Sequence, residues 1–226
     1  MALTKKDLED IVKGYKVDLA NINSKLDTLL NENAELKKMV TAKDEEIEGL
    51  KLHINNLEQH NRAWSVRVMG LPLSPTEEKS STMVRDKLYK NVILPILEGA
   101  VAEGDLHQVP KNADAVLEMA HPLRAKDGAI KPIIARFFLR EIRSLVFRHK
   151  KAYAPKVADG PTKGHYKYSV FEDLTALTFA KMRALAADAR VAASWTAHGQ
   201  IRFRLVDDPT VRRVSSVLDP LSKILG

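Results

Sequence analysis

Basic side chains are the one class of chemically useful group that this chain gathers in a single stretch. Between Lys131 and Lys167 stand ten of them, Lys131, Arg136, Arg140, Arg143, Arg148, Lys150, Lys151, Lys156, Lys163 and Lys167, against two acids, Glu141 and Asp159. A surface of that sign attracts a phosphate backbone by releasing its counterions, and the attraction weakens steeply with salt. A solvated helix face with a positive bias accounts for the same residues, so the run alone does not define a site. Arg202 and Arg204 alternate along residues 200–206, and Arg62 lies just after the N-terminal heptads; these extend the basic set. Tyr166, Tyr168, Phe171 and Trp195 could stack on bases, although with 6% of the chain aromatic a small core has first claim on such rings.

Catalytic and metal chemistry finds little support. The absence of cysteine removes disulfides, thiolate metal sites and cysteine nucleophiles. The seven histidines are scattered without HExxH or another paired-ligand spacing, so neither a metal nor a cofactor is expected. Gly160-Pro-Thr-Lys-Gly164 lacks the spacing and the following helix of a phosphate loop and reads as a flexible turn. Glu172-Asp173 and Asp207-Asp208 are adjacent pairs that would point to opposite faces of a strand, which suits helix caps better than an acid and base pair. The expectation is a protein that is not an enzyme. No apolar run approaches the roughly 20 residues that cross a bilayer. Residues 1–10 are charged where a signal peptide is greasy, so a soluble intracellular protein with no membrane partner is expected.

Charge divides the chain. Residues 1–62 hold 10 Lys/Arg against 12 Asp/Glu and the remainder 26 against 17, giving −2 and +9. The acidic part carries a heptad repeat: Val12, Leu19, Leu26, Asn33, Val40, Ile47 and Ile54 at a, and Leu8, Tyr15, Ile22, Leu29, Leu36, Lys43, Leu50 and Leu57 at d. A sustained 3.5-residue period predicts a left-handed coiled coil, because an ordinary surface helix drifts off that register. In a parallel arrangement Glu32 meets Lys37, Glu46 meets Lys51 and His53 meets Glu58, all with compatible sign. Asn33 at an a position reads as a register lock, with coordination of an anion by a ring of such side chains on the axis as the alternative. The mixture of Leu and β-branched residues leaves two and three strands both open.

Beyond Asn61 the period changes. Residues 65–72 alternate and stop at Gly70 and Pro72, which predicts a strand; a helix over 76–98 follows, capped by Ser74 or Thr76 and kinked or ended at Pro95. Residues 113–123 and 131–139 read as strands, 140–153 as a basic amphipathic helix and 165–171 as a last strand. The order β-α-β-β-α-β is the split ferredoxin-like arrangement, whose free sheet face serves RNA-recognition modules as a platform. A helix over 174–190, a strand over 200–206 and a closing helix over 211–225 form a third unit too small to be stable except by packing on its neighbour. The fold class is therefore α+β in three parts: coiled coil 1–62, ferredoxin-like domain 63–171 and a small α/β domain 172–226.

Several of these pieces, in this order, resemble the first-open-reading-frame proteins of LINE retrotransposons, the transposase-22 or LINE RRM-domain family. They are the coiled coil running into Asn61-Arg62-Ala-Trp-Ser-Val-Arg-Val-Met-Gly-Leu-Pro72, then Lys131-Pro-Ile-Ile-Ala-Arg-Phe137 with a basic helix ending His149-Lys-Lys-Ala152. Phe171-Glu-Asp-Leu-Thr175 before Ala180-Lys-Met-Arg183, and His198-Gly-Gln-Ile-Arg-Phe203, complete the set. The resemblance implies a parallel homotrimer, with a dimer as the alternative, whose heads clamp single-stranded RNA and also single-stranded DNA. It implies a nucleic-acid chaperone in cytoplasmic, and also nuclear, ribonucleoprotein particles. Arg67, Arg136, Lys181 and Arg183 match the family's basic contacts. Arginine at the two strand positions that ordinarily hold stacking aromatics implies broad rather than sharp sequence preference. The rival expectation is a coiled-coil scaffold, or a host-adapted descendant, whose head binds a protein.

Overall fold

The structure, a computed structural model, describes residues 5–125, 129–158 and 164–226. Its first element is a continuous helix, α1 (Lys5–Arg62), which contains no proline. The chain divides into two units, Met1–Lys51 and Leu52–Gly226. In the first, the heptad residues form an uncovered stripe: Leu8, Val12, Tyr15, Leu19, Ile22, Leu26, Leu29, Leu36, Val40, Ile47 and Leu50 are each 46 to 67% exposed. Asn33 is exposed too, and Lys43 at its d position pairs with Glu46 at 2.6 Å. Among the described residues no helix is long and apolar enough to cross a membrane.

The second unit is built on a four-stranded antiparallel sheet of β1 (Ser65–Met69), β2 (Leu117–Pro122), β3 (Ile133–Phe137) and β4 (Ser169–Glu172), in the order β2-β3-β1-β4. Alternation sets its two faces. Val66, Val68, Ile133, Ala135, Phe137 and Val170 point to the core, where they meet Val84, Leu88, Ile93, Leu97 and Val146 from the covering helices. On the opposite face cross-strand pairing lines up His121, Ile134, Arg67 and Phe171 in one row.

The helix expected over 76–98 is divided. Ser74 forms a capping box with Glu77 at the head of α2 (Pro75–Glu78), and Ser80 caps a new start at α3 (Ser81–Leu88). Pro95 does not end the run. A π-helical turn, Tyr89–Ile93, lets the chain continue, and the proline lands in the first turn of α4 (Leu94–Ala102), where its missing N–H costs little. Residues 113–115 form a 3-10 turn capped by Asn112, so the strand expected from 113 starts at Leu117. Helix α5 (Arg140–Tyr153) packs its apolar stripe against α4 and the sheet.

The C-terminal part departs further from expectation. Helix α6 (Ala176–Ala187) is capped by Thr175, and a strand that went unanticipated, β5 (Val191–Ala197), pairs with β6 (Gln200–Leu205). The hairpin turns through His198 and Gly199, both at positive φ, and a Cβ on Gly199 would fall 2.7 Å from the Gln59 side chain. In place of a helix over 211–225, β7 (Arg212–Arg213) adds a third strand, and only α7 (Leu221–Leu225) is helical. Pro220 explains the late start, since it can open a helix and not sit inside one. Leu185, Ile201, Phe203, Val214 and Leu225 make a small separate core.

Candidate nucleic-acid interface

A buried polar network ties the end of α1 to the segment entering α6. Gln59 donates from Nε2 to the Asp173 carbonyl and accepts at Oε1 from the Thr175 N–H, each at 3.0 Å. Thr175 donates its hydroxyl to Asn55 Oδ1 at 2.5 Å. Asp173, 3% exposed, accepts Arg62 on one carboxylate oxygen and Arg67 on the other, both at 3.1 Å. Two guanidinium groups on one buried carboxylate leave a local surplus of positive charge. Beside them Glu172 accepts the His198 and Gly199 N–H groups at 2.8 and 3.0 Å, which pins the β5-β6 turn, and faces Arg143 at 3.4 Å. Neither acid caps a helix, contrary to expectation; Thr175 takes that role. Asp208 likewise holds the Thr210 N–H in a turn and pairs with Arg212.

This network forms one wall of a cleft of about 1030 Å³ between the open face of the four-stranded sheet, α5, α6 and the second sheet. Phe171, half exposed, and Trp195 line it with Phe147 and Phe179, and Arg67, Lys150, Lys151 and Arg204 supply positive charge. The Arg204 guanidinium lies 5.9 Å from the Trp195 ring, and the Lys150 ammonium 4.4 Å from Phe147 and 6.0 Å from Phe171. Lys150 donates to the Val170 carbonyl, and burial pushes its ammonium below the ordinary lysine value against the pull of Glu172. An anion in the cleft would relieve that penalty. The Arg67 Nε is buried with no partner among the described residues, a donor that stands on the cleft wall. Rings beside cations over an apolar floor can stack bases and hold phosphates at once.

The expected site residues scatter around this cleft. It brings together Arg67, Lys150, Lys151 and Arg204. Arg62 borders it only through the shared Asp173. Lys131 pairs with Glu78 at 2.6 Å and Arg136 with Glu118 at 2.8 Å, both away from the cleft. Arg140 lies over the Trp64 ring at 4.6 Å. Arg143 is buried, with its Nε donating to the Ser65 carbonyl, and does not line the cleft. Burial pulls its guanidinium down from the ordinary arginine value, opposed by Glu172. Lys181 donates to the Asp219 carbonyl, while Arg183 is exposed on α6. Lys167 is exposed beside Tyr168, which is itself core. Arg202 stands opposite Trp195 and Arg213 in the second sheet. The turn at 160–164 lies outside the described residues except for Gly164.

The aromatic half of the cleft was the part that sequence reasoning left in the core. Phe171 alternates with buried Val170, and that parity alone would have turned it outward beside Arg67. Trp195 gave no such signal, because Val-Ala-Ala-Ser-Trp-Thr-Ala lacks the β-branched alternation that marks a strand. Among the described residues no group of His, Cys, Asp and Glu could hold a metal ion. No protein-family model matches the chain, and no curated protein matches it significantly.

Proposed function

We propose that this chain is an oligomeric, non-enzymatic protein that binds single-stranded RNA and DNA with little sequence preference and acts as a nucleic-acid chaperone, kin to the first-open-reading-frame proteins of LINE retrotransposons. The observation that carries the reading is the cleft in which Phe171 and Trp195 stand among Arg67, Lys150, Lys151 and Arg204. Every base has a π-face, so stacking there discriminates poorly, and the cations grip a backbone that is the same for all sequences. The sheet order β2-β3-β1-β4 with helices on one face is that of an RNA-recognition module, which supports the kinship. The uncovered heptad stripe supports a parallel homo-oligomer, a trimer on the resemblance, in which several heads hold one strand by avidity.

The apolar floor of the same cleft also suits a protein ligand, and one experiment separates the two. Fluorescence anisotropy of the full-length protein with unstructured oligonucleotides is measured across a salt series. At roughly −0.7 in log K per log salt for each phosphate held, three or four cleft cations predict a slope of about −2 to −3 per head. Affinity independent of oligonucleotide length and salt, or no binding in dilute buffer, would instead leave the protein-binding scaffold.

A further inference from the structure

A second cavity, of about 500 Å³, is lined by residues 52–60 of α1, Ala63, the start of α5 and the β5-β6 turn. Arg140 and Arg213 line it with His60, His198, Asn56 and Gln59, and none of its lining residues is an acid. Of the carboxylates nearby, Glu172 is already committed to Arg143 and to the N–H groups of His198 and Gly199, and Asp173 to Arg62 and Arg67. The cavity therefore collects positive charge with no internal counter-ion facing it. Such an arrangement favours an anionic occupant.

Arg140 makes the case specific. Its guanidinium carbon lies 4.6 Å from the centre of the Trp64 ring, and its Nη2 is 3.4 Å from the His60 Nε2. A contact with a ring consumes no N–H donor, so beyond the Nη2 contact with His60 the rest of the fork stays available. The Nε is buried and meets no acceptor among the described residues, so Arg140 is held in place with a donor unused. Arg213 approaches from β7 with one Nη1 donating to Gln200 Oε1 at 3.1 Å, which fixes its direction and leaves other donors. Two oriented forks and the amides of Asn56 and Gln59 suit a compact, multiply charged oxyanion better than a carboxylate or an apolar group.

We infer that this cavity is a phosphate-binding site, separate from the stacking cleft, in which Arg140 and Arg213 grip a phosphate group. The phosphate comes either from a free nucleotide or from the end of a bound strand. Because the site shares no lining residue with the cleft, it can be occupied independently of it.

The test is thermal unfolding of the full-length protein titrated with inorganic phosphate, against sodium chloride at matched ionic strength. The site predicts a melting temperature that climbs with phosphate beyond the chloride control, as expected when a ligand binds only the folded state. Arg140→Gln and Arg213→Gln should each abolish most of that climb and Arg204→Gln, in the cleft, should leave it intact. Arg213 is largely exposed, so its variant keeps the test sound if Arg140→Gln unfolds the head. Two further arms identify the source. Tighter binding of a 5′-phosphorylated oligonucleotide than of its 5′-hydroxyl twin, by several-fold and lost in Arg140→Gln, marks a strand end. Relief of the phosphate effect by ADP without displacement of oligonucleotide marks a free nucleotide. Equal response to phosphate and chloride, or a phosphate response that survives both arginine changes, would overturn the site. Loss of oligonucleotide binding with the phosphate response intact would count against the cleft alone.

Discussion

Leucines of the first unit and of the head live under opposite conditions. Leu19, Leu26, Leu29, Leu36 and Leu50 along α1 are more than half exposed, whereas Leu71, Leu88, Leu97 and Leu117 in the head are 0 to 1% exposed. The head finds cover for its apolar side chains within its own chain. The heptad stripe does not, and it carries the repeat that a coiled coil would cover with other helices of the same pattern. The end of α1 shows both conditions on one helix. Asn55, Gln59 and Arg62, on the b and f positions of the repeat, are spent on the head's polar network, while Ile54 and Leu57, on a and d, remain exposed. Over residues 52–62 the head takes one face of the helix and leaves the heptad face uncovered.

That contrast can be broken from either side. The largest effect should come from placing charges in the seam. Leu26→Lys with Leu29→Lys is expected to give a monomer in sedimentation velocity with the head's near-ultraviolet dichroism unchanged. Affinity for long oligonucleotides should then fall about 10²-fold or more, as avidity is lost. Next, Phe137→Ala, in the centre of the sheet's core, should lower the head's stability by about 3–5 kcal/mol in chemical denaturation and leave the oligomer assembled. Asp173→Ala should follow at about 3 kcal/mol, because it strands Arg62 and Arg67 beside one another without their buried counter-ion. Trp195→Ala should barely change stability and weaken oligonucleotide binding by about 1–3 kcal/mol, read by anisotropy.

The smallest effect is electrostatic. The Lys87 ammonium, followed by the Ser74 N–H, lowers the Glu77 carboxyl from 4.5 to about 2. Thr210, and after it Arg212, lowers Asp208 from 3.8 to about 2. Folded values below the unfolded ones mean a stabilisation fully present above about pH 4.5 and lost as pH falls toward 2. Both groups sit at the surface, so the head's melting temperature should slope gently downward across that window. Glu77→Gln should flatten part of the slope.

Some of this molecule is readable from local pattern and some is not. The heptads announce a helix because each step of the repeat is a statement about the same face, and α1 runs through it unbroken. Ser74 and the β-branched alternation of 65–69 and 133–137 are equally local signals, and those elements stand where they were expected. Pro95 misleads because a π turn, decided by tertiary packing, absorbs it. The C-terminal sheet is hidden because β5 is alanine-rich and β7 is two residues long, so its existence depends on pairing with β6 rather than on intrinsic preference. Charge was legible as a total and illegible as a site. Arg143 and Lys181 look like their neighbours in sequence, yet one is buried against Glu172 and the other is spent on a carbonyl of Asp219. The cleft's aromatic wall combines residues of both sheets with others from α5 and α6, which no single segment encodes.

Trp195 is the most direct witness to that wall. With Trp64→Phe it becomes the sole tryptophan of the chain. Titrating this variant with oligo(dT) in dilute buffer should quench and shift its emission saturably, and added salt should reverse the change. Unchanged Trp195 emission while the oligonucleotide is bound, or no binding at all, would contradict the cleft as the place where single strands are held.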